Sequence, residues 1–332
     1  MMSATPNRDK VSELYFYYLL STLDFNDIAS GSALPYLTVG NLNKIDVLLP
    51  PLPEQHAIAA TLGALDDKIE LNRRTCATLE AMARALFRSW FVDFDPVHAK
   101  AAGEAPAHMD PANAALFPDR LSEDGLPEGW RMAPLSSLCA QGKDSIDPRK
   151  HVAETFDHYS LPAYDTGNGP VRETGSAIQS QKLVVPSEAI LFSRLNPTIP
   201  RIWWARTSDQ VFASVASTEF LVAVARRKAD MPFLYSLMVA DEFRGEVIAR
   251  ITGTSNSHQR VKPTSVLEIE TVAATPEVRA AFGKLTSPWF DLIKAAKTEN
   301  RTLATLRDTL LPKLMSGELR VREAEARVGE VA

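Results

Sequence analysis

Apolar residues recur at alternating spacings of four and three between Ile58 and Trp90. The members of this stripe are Ile58, Leu62, Leu65, Ile69, Asn72, Cys76, Leu79, Ala83, Leu86 and Trp90. This spacing keeps the side chains on one helix face and is typical of a coiled-coil seam. Each large apolar side chain left in water would forfeit about 1.5–3 kcal/mol. The stripe therefore predicts a long helix with a second helix packed along it.

A second apolar stripe, in the segment 276–315, supplies the predicted partner helix. Its members are Ile293, Ala296, Asn300, Leu303, Leu306, Leu310 and Leu314. The two stripes share a hexapeptide, which reads RTCATL at 74–79 and RTLATL at 301–306. Two unrelated amphipathic helices of a bundle are the alternative, but that alternative does not account for the repeated letters.

Both predicted helices are entered in the same way. A short apolar strand and then a proline precede each one, as IDVLLP at 45–50 before Pro53 and LEIETV at 267–272 before Pro276. A serine–proline pair at 287–288 fits an N-cap and a first-turn proline, so we expect the second helix to be broken there.

The rest of the chain predicts a small helix, a linker and a mixed domain. Crowded aromatics at 11–23 indicate a buried helix, and the Ala-, Pro-, Asp- and Gly-rich segment after Asp93 reads as surface linker with a short helix from Asp110. Strand-like runs follow from Gly129, namely KLVVP, AILFS, RIWWA and STEFLVAVA. The segment 233–250 then has a helical period, which together with the strands predicts a mixed α/β domain.

Composition narrows the class of protein. A length of 332 residues suffices for two domains, and 45% hydrophobic residues support a globular chain. The two cysteines, Cys76 and Cys139, form no CxxC pair, which fits a reducing compartment. The first residues lack the apolar core of a signal peptide, and no run approaches the roughly 20 residues of a membrane span. We therefore expect a cytoplasmic location.

Charge is distributed unevenly along the chain. The formal net charge is −5, but the segment 192–262 has ten basic and six acidic residues, a local charge of +4. That reversal indicates where a polyanion would bind.

No catalytic or metal-binding motif emerges. The Asn196-Pro197 pair continues with Thr198 rather than the proline and aromatic residue of an amino-methyltransferase loop, and Gly283-Lys284 precedes a leucine, which excludes a P-loop. The six histidines lack metal-ligand spacing. An acidic pair and a lysine at 66–68 imitate part of a nuclease motif, but they lie on the predicted long helix, where a solvated charged face is the simpler interpretation.

Four stretches resemble a known family when read in order. They are LPPLPEQHAIAATLGALDDKIELNRR, TLEAMARALFRSWFVDFDPV, GLPEGW and RTLATLRDTLLPKLMSGEL. Together they resemble the specificity subunit of type I restriction-modification enzymes, over nearly the whole chain. The resemblance implies target-recognition domains that alternate with two long helices, and an antiparallel coiled coil formed by those helices.

The resemblance also implies a domain division. The expected segments are 1–52, a C-terminal remnant of a first target-recognition domain; 53–93, a first spacer helix; 94–128, a linker; 129–275, a second target-recognition domain; 276–317, a second spacer helix; and 318–332, a polar tail. Only about 50 residues precede the first helix, whereas a recognition domain needs about 150. The segment before the first helix therefore resembles only the tail end of a first recognition domain, and the alternatives are a truncated gene, a misassigned start and a protein that assembles from pieces.

By resemblance, the chain is a non-catalytic subunit that docks on double-stranded DNA. It would hold methyltransferase subunits on its helices and direct adenine methylation, or cleavage by a restriction and motor subunit. The chain itself would bind no cofactor, whereas its partners would use S-adenosylmethionine, ATP and Mg.

The helix-pairing residues would be Ile58, Leu62, Leu65, Ile69, Leu79, Leu86, Ile293, Leu303, Leu306 and Leu310. The alternatives are an inactive remnant and a coiled-coil scaffold without DNA specificity, and a further hypothesis pairs two copies head to tail.

Two loops carry polar side chains suited to reading DNA, because Arg and Lys bind guanine edges and Asn and Gln bind adenine edges. The candidates in the first loop are Ser193, Arg194, Asn196, Thr198 and Arg201, and those in the second are Thr254, Ser255, Asn256, His258, Gln259, Arg260 and Lys262. The alternatives are that Arg194 and Asn196 brace their own turn and that the second loop is merely solvated. The loop YDTGNGP at 164–170 is fully explained by turn chemistry.

Overall fold

The structure is a computed structural model that describes residues 4–25, 36–167, 169–207, 211–252 and 259–329. Its helices are α1 (Glu13–Thr22), α2 (Val39–Leu42), α3 (Leu52–Phe91), α4 (Asp95–Ala101), α5 (Pro111–Ala114), α6 (Leu161–Thr166), α7 (Met231–Val239), α8 (Asp241–Ile248), α9 (Pro263–Leu267), α10 (Pro276–Met315) and α11 (Val321–Gly329). Its strands are β1 (Arg131–Pro134), β2 (Cys139–Gly142), β3 (Ser145–Ile146), β4 (Thr155–Tyr159), β5 (Val171–Thr174), β6 (Lys182–Val184), β7 (Glu188–Ser193), β8 (Ile202–Arg206), β9 (Ala213–Ala216), β10 (Phe220–Ala225) and β11 (Glu270–Ala273).

The chain divides into two compact units. We call Met1–Ala77 with Leu292–Ala332 the helical unit, and Thr78–Asp291 the sheet unit. The two long helices, α3 and α10, each contribute to both units. The fold is mixed α/β with two 40-residue helices, as the sequence predicts.

The predicted helix seam is present in the helical unit. The buried side chains of α3 and α10 pack there with those of α1, and they include Ile58, Leu62, Leu65, Ile69, Leu303 and Leu310, with Leu306 partly buried. Asp66 contacts Arg307 at 2.6 Å, and Asn72 donates to Asn300 at 2.9 Å. Partner numbers therefore fall along α10 as they rise along α3, so this part of the helix pair is antiparallel.

A polar layer interrupts the apolar seam. The buried Asn72 side chain donates to Glu299 Oε2 at 2.7 Å as well as to Asn300 Oδ1. Asn300 in turn donates to the Ile69 carbonyl at 3.4 Å. Because an amide buried opposite an aliphatic side chain would lose these bonds, the layer favours one register of the two helices.

The remaining predicted pairing residues are distributed between the two units. Ile293 is buried in the helical unit, Leu86 packs against the main core of the sheet unit, and Leu79 is half-buried.

Two predictions about the helix entries are wrong. The described residues 45–50 form no strand. The Pro50 carbonyl instead accepts a hydrogen bond from the buried Gln55 side chain at 2.8 Å, and the same side chain donates to the Lys10 carbonyl at 2.9 Å. The expected break at 287–288 is absent, and α10 is continuous. Phe282 and Phe290 are buried on either side of Pro288, and this packing offsets the cost of a proline inside a helix, about 3 kcal/mol.

The sheet unit contains three sheets. The four-stranded sheet has the order β2-β10-β7-β8 and is antiparallel, the five-stranded sheet has the order β3-β6-β9-β4-β5, and β1 pairs with β11. Only the β4 and β9 pair is parallel among the described strands.

The central strands of the four-stranded sheet are buried on both faces. In β7, Ile190 packs in the main core and the next residue, Leu191, packs in a second cluster on the opposite face. Leu221 and Val222 of β10 divide in the same way. Alternate residues of a strand point to opposite faces, so the uninterrupted apolar runs AILF and FLVAV are explained.

The main core of the sheet unit is rich in aromatic rings. Phe91 of α3 lies 4.8 Å from Phe233 and 5.4 Å from Phe282, measured between ring centroids, and Trp90 lies 5.0 Å from Phe117. The linker prediction is therefore only partly right, because α5 begins after Asp110 as predicted, but Phe117 is buried in this core rather than on the surface.

The segment 233–250 is two helices rather than the single helix predicted. They meet at Ala240, whose backbone is extended with ψ of 147°. Ala240 is buried in the core, and acidic Asp241 and Glu242 begin the next helix, where they face its positive dipole end.

Candidate nucleic-acid interface

The first candidate loop is a tight connection between β7 and β8. Ser193 N donates to the Arg201 carbonyl at 2.9 Å, which closes the base of the loop. At its turn, Asn196 has φ of +47° and its carbonyl accepts from Ile199 N at 2.9 Å. Thr198 is exposed at the tip.

The second candidate loop is held at both of its ends. Thr252 and Arg260 exchange backbone hydrogen bonds of 2.9 and 3.0 Å. Four predicted contact residues, Thr254, Ser255, Asn256 and His258, lie outside the described residues. Lys262 follows as the exposed N-cap residue of α9.

The structure joins the two loops side by side. Leu195 and Arg260 form an antiparallel bridge, and Asn196 N donates to the Gln259 carbonyl at 3.0 Å. Val261 N donates to the Arg194 carbonyl at 3.1 Å. Polar residues about 60 positions apart in sequence therefore share one surface.

The turn before β10 is a third part of this surface, and no sequence pattern predicted it. Arg194 N donates to the Glu219 carbonyl at 2.8 Å, and the Arg194 guanidinium donates to the Thr218 carbonyl. The Glu219 carboxylate accepts from Arg260 Nε at 3.2 Å and Nη2 at 3.0 Å. This carboxylate raises the pKa of Arg260, so the guanidinium stays charged.

Helix α6 braces the first loop from the other side. Arg201 donates to both oxygens of Asp165, at 2.6 and 2.9 Å, and this bond lowers the pKa of the Asp165 carboxyl. Tyr164 donates to the Pro200 carbonyl at 3.4 Å, and its ring lies 5.0 Å from Trp203. The predicted turn around 164–170 therefore begins as a helix that contacts the candidate loop, and Asn168 lies outside the described residues.

The arginines of this surface are engaged with the protein itself. Arg244 of α8 donates to the Thr198 carbonyl at 2.5 Å, and Arg250 pairs with Glu246. The bond from Arg194 to the Thr218 carbonyl agrees with the alternative interpretation, in which Arg194 braces its own turn. The loops are consequently rigid where they are described, and rigid loops position side chains for readout.

The chain is similar to proteins of one known family. A model of the type I restriction modification DNA specificity domain matches residues 1–81. The MjaIX specificity subunit of a type I restriction enzyme from Methanocaldococcus jannaschii is 25% identical over 331 residues, which cover 95% of this chain and 71% of that protein. The HindI specificity subunit from Haemophilus influenzae is 26% identical over 386 aligned positions, covering 96% of this chain and 80% of that protein.

Over nearly its whole length, the chain is similar to specificity subunits of type I restriction enzymes. A solved specificity subunit from M. genitalium shares the fold, with a TM-score of 0.52 and 16% identity over 92% of this chain and 73% of that one. In the described part of the chain, no helix is long and apolar enough to cross a membrane, and no group of His, Cys, Asp and Glu is arranged to hold a metal ion.

Proposed function

We propose that this chain is a specificity subunit that recognises a double-stranded DNA sequence with the surface formed by loop 193–201 and residues 252 and 259–262 of the second loop. The observation that carries this proposal is the junction of the two loops through Leu195 and Arg260. Described residues that were picked out in each loop separately, such as Asn196 and Gln259, thereby become neighbours in one unit. Similarity supports the same conclusion, since the relatives that align over nearly the whole chain are specificity subunits of type I restriction enzymes.

The proposal includes partner subunits that do the chemistry. Methyltransferase subunits would methylate adenine, and a restriction and motor subunit would cleave; these partners would use S-adenosylmethionine, ATP and Mg, whereas this chain would contribute recognition alone. The names of the relatives, which are subunits of restriction enzymes, support such an assembly.

The repeated hexapeptide supports two equivalent docking positions for methyltransferase. Helix pairing requires only the inward residues, yet the repeat also preserves outward ones. Arg74 and Thr78 of the first copy are exposed, and so are Arg301 and Thr305 of the second. Identical exposed residues on two helices are suited to two copies of one partner. Head-to-tail pairing of two chains remains a separate proposal.

Loss of the candidate arginines tests DNA recognition. We expect Arg260→Ala and Arg194→Ala each to weaken binding to the target, the sequence that the complex methylates, by about 5- to 150-fold, because a base contact is worth about 1–3 kcal/mol. Binding is measured by fluorescence anisotropy on the complex with methyltransferase, at several salt concentrations. Arg149→Ala is the control, since Arg149 is exposed and pairs with Asp147 away from the loops.

Two outcomes count against DNA recognition through these loops. If both variants methylate the same set of DNA sequences as the unaltered complex, the two arginines do not read the target. Binding that is absent, or insensitive to salt, in the unaltered complex would favour the scaffold, because phosphate contacts make affinity fall steeply with salt.

Charge introduced on the repeat tests the docking positions. We expect Thr78→Arg and Thr305→Arg each to remove one of two bound methyltransferase copies, and the double variant to remove both, because a bulky cation would disrupt a close-packed interface. Native mass spectrometry counts the subunits, and Asp67→Arg is the control at an exposed site outside the repeat. Two copies retained in the double variant would contradict this assignment, and one specificity chain per complex would contradict head-to-tail pairing.

A further inference from the structure

We propose that Arg260 reads a guanine of the target and that Glu219 is the positioning residue that aims it. This inference rests on the proposed DNA-recognition function and names a base for it. On this surface, Arg201 and Arg260 each bind both oxygens of a carboxylate. The inference starts from the different exposure of these two guanidinium groups.

The Arg260 guanidinium presents one edge to Glu219 and another to the outside. Glu219 occupies the edge formed by Nε and Nη2, at 3.2 and 3.0 Å. A guanidinium has five N–H donors, so the edge formed by Nη1 and the second Nη2 hydrogen remains. In the described ranges, no acceptor contacts Nη1. Guanine offers O6 and N7 side by side in the major groove, and two parallel N–H donors match that pair.

The backbone on both sides of this ion pair is fixed. Arg260 is bonded to Thr252 and bridged to Leu195, while the Glu219 carbonyl accepts from Arg194 immediately before β10 begins. Neither side chain is free to reorient without breaking the pair. A reader held in this way loses little conformational entropy on binding, which favours discrimination between bases.

The second pair, Arg201 with Asp165, is a brace. The Arg201 side chain is 13% exposed, whereas the Arg260 side chain is 42% exposed. Arg201 lies at the base of the loop, where its carbonyl accepts from Ser193. Its pair with Asp165 therefore fastens the loop to α6 and offers little surface to a base.

The charge of the reading pair predicts what it contributes. Arg260 and Glu219 together are neutral, so the pair adds little attraction toward phosphate. Its contribution is to sequence discrimination, and the slope of affinity against salt should not depend on it. A phosphate-binding arginine would behave differently, because its loss reduces the slope of log affinity against log salt concentration by about 1.

The experiment uses the complex of this chain with methyltransferase and the target found from its methylation profile. Each guanine in the half of the target that the sheet unit contacts is replaced by 7-deazaguanine, which lacks the N7 acceptor. We expect one position at which the replacement weakens binding by about 10-fold. In Glu219→Gln and Arg260→Ala complexes, that loss should fall below about 2-fold. Asp147→Asn is the matched control and should retain the full sensitivity, because Asp147 accepts from exposed Arg149 through both oxygens and lies outside the two loops.

Each outcome decides the proposal. It is overturned if no guanine position is sensitive, if Glu219→Gln keeps full sensitivity, or if Asp147→Asn loses it as Glu219→Gln does. A Glu219→Gln chain that does not fold leaves the scan of the unaltered complex and the Arg260→Ala variant to decide. If the unaltered complex binds no sequence specifically, the proposed function fails as well, whereas specific binding without guanine sensitivity overturns only this inference.

Discussion

Replacement of Asp230 by alanine should lower the free energy of unfolding of the sheet unit by about 3–5 kcal/mol, because it leaves a buried arginine without its counter-charge. The Asp230 side chain is 3% exposed and lies 3.0 Å from Arg279 Nη2. Arg279 also donates to the Ala274 carbonyl at 3.0 Å, so the guanidinium cannot leave the interior without breaking a second bond. Urea unfolding followed by circular dichroism measures the loss.

A second substitution separates the charge from the packing. When Arg279→Met is added to Asp230→Ala, part of the lost stability should return, because the unpaired buried charge is gone. Asp119→Ala, at an exposed carboxylate, is the control and should change stability by less than about 0.5 kcal/mol. A loss below about 1 kcal/mol for Asp230→Ala would mean that the pair is dispensable.

Truncation of Phe91 to alanine should cost a similar amount, about 3–5 kcal/mol, because it removes a large ring from the centre of the main core. The Phe91 ring contacts those of Phe233, Phe282 and Trp130, at centroid distances of 4.8, 5.4 and 5.8 Å. The surrounding rings belong to one buried cluster with residues of the four-stranded sheet such as Ile190 and Leu221, so we expect the truncation to leave a cavity. Thermal unfolding and the near-ultraviolet circular dichroism of the aromatic residues report the change.

An exposed residue of the same helix provides the comparison. Met82→Ala, at a side chain that is 44% exposed, should leave stability nearly unchanged. Equal losses for Met82 and Phe91 would show that the substitutions act through helix propensity rather than through the core.

The helices and the buried strands were predictable from the sequence because their signals are local. A spacing of four and three residues fixes one face of a helix wherever the helix lies, and an apolar run such as AILF needs only two covered faces. The run IDVLLP carried the same kind of signal and was misleading. A strand requires a partner backbone, and the nearby Gln55 side chain bonds the Pro50 carbonyl instead.

The candidate interface was predictable only in part. Residue type identified the loops at 193–201 and 252–262 separately, but the bridge between Leu195 and Arg260 depends on how the four-stranded sheet places its ends. Glu219 carried no signal at all, because its importance comes from a contact across 41 positions of sequence.

The amide layer at Asn72 and Asn300 constrains how such a chain can change in length. If seven residues were inserted into only one helix, on one side of the layer, that helix would extend past its partner by about two turns. The apolar side chains at its end would then lose the facing side chains that cover them. Seven residues inserted into both helices would preserve every facing pair. Natural length variants of this protein should therefore have paired insertions in the two helices, in heptad steps.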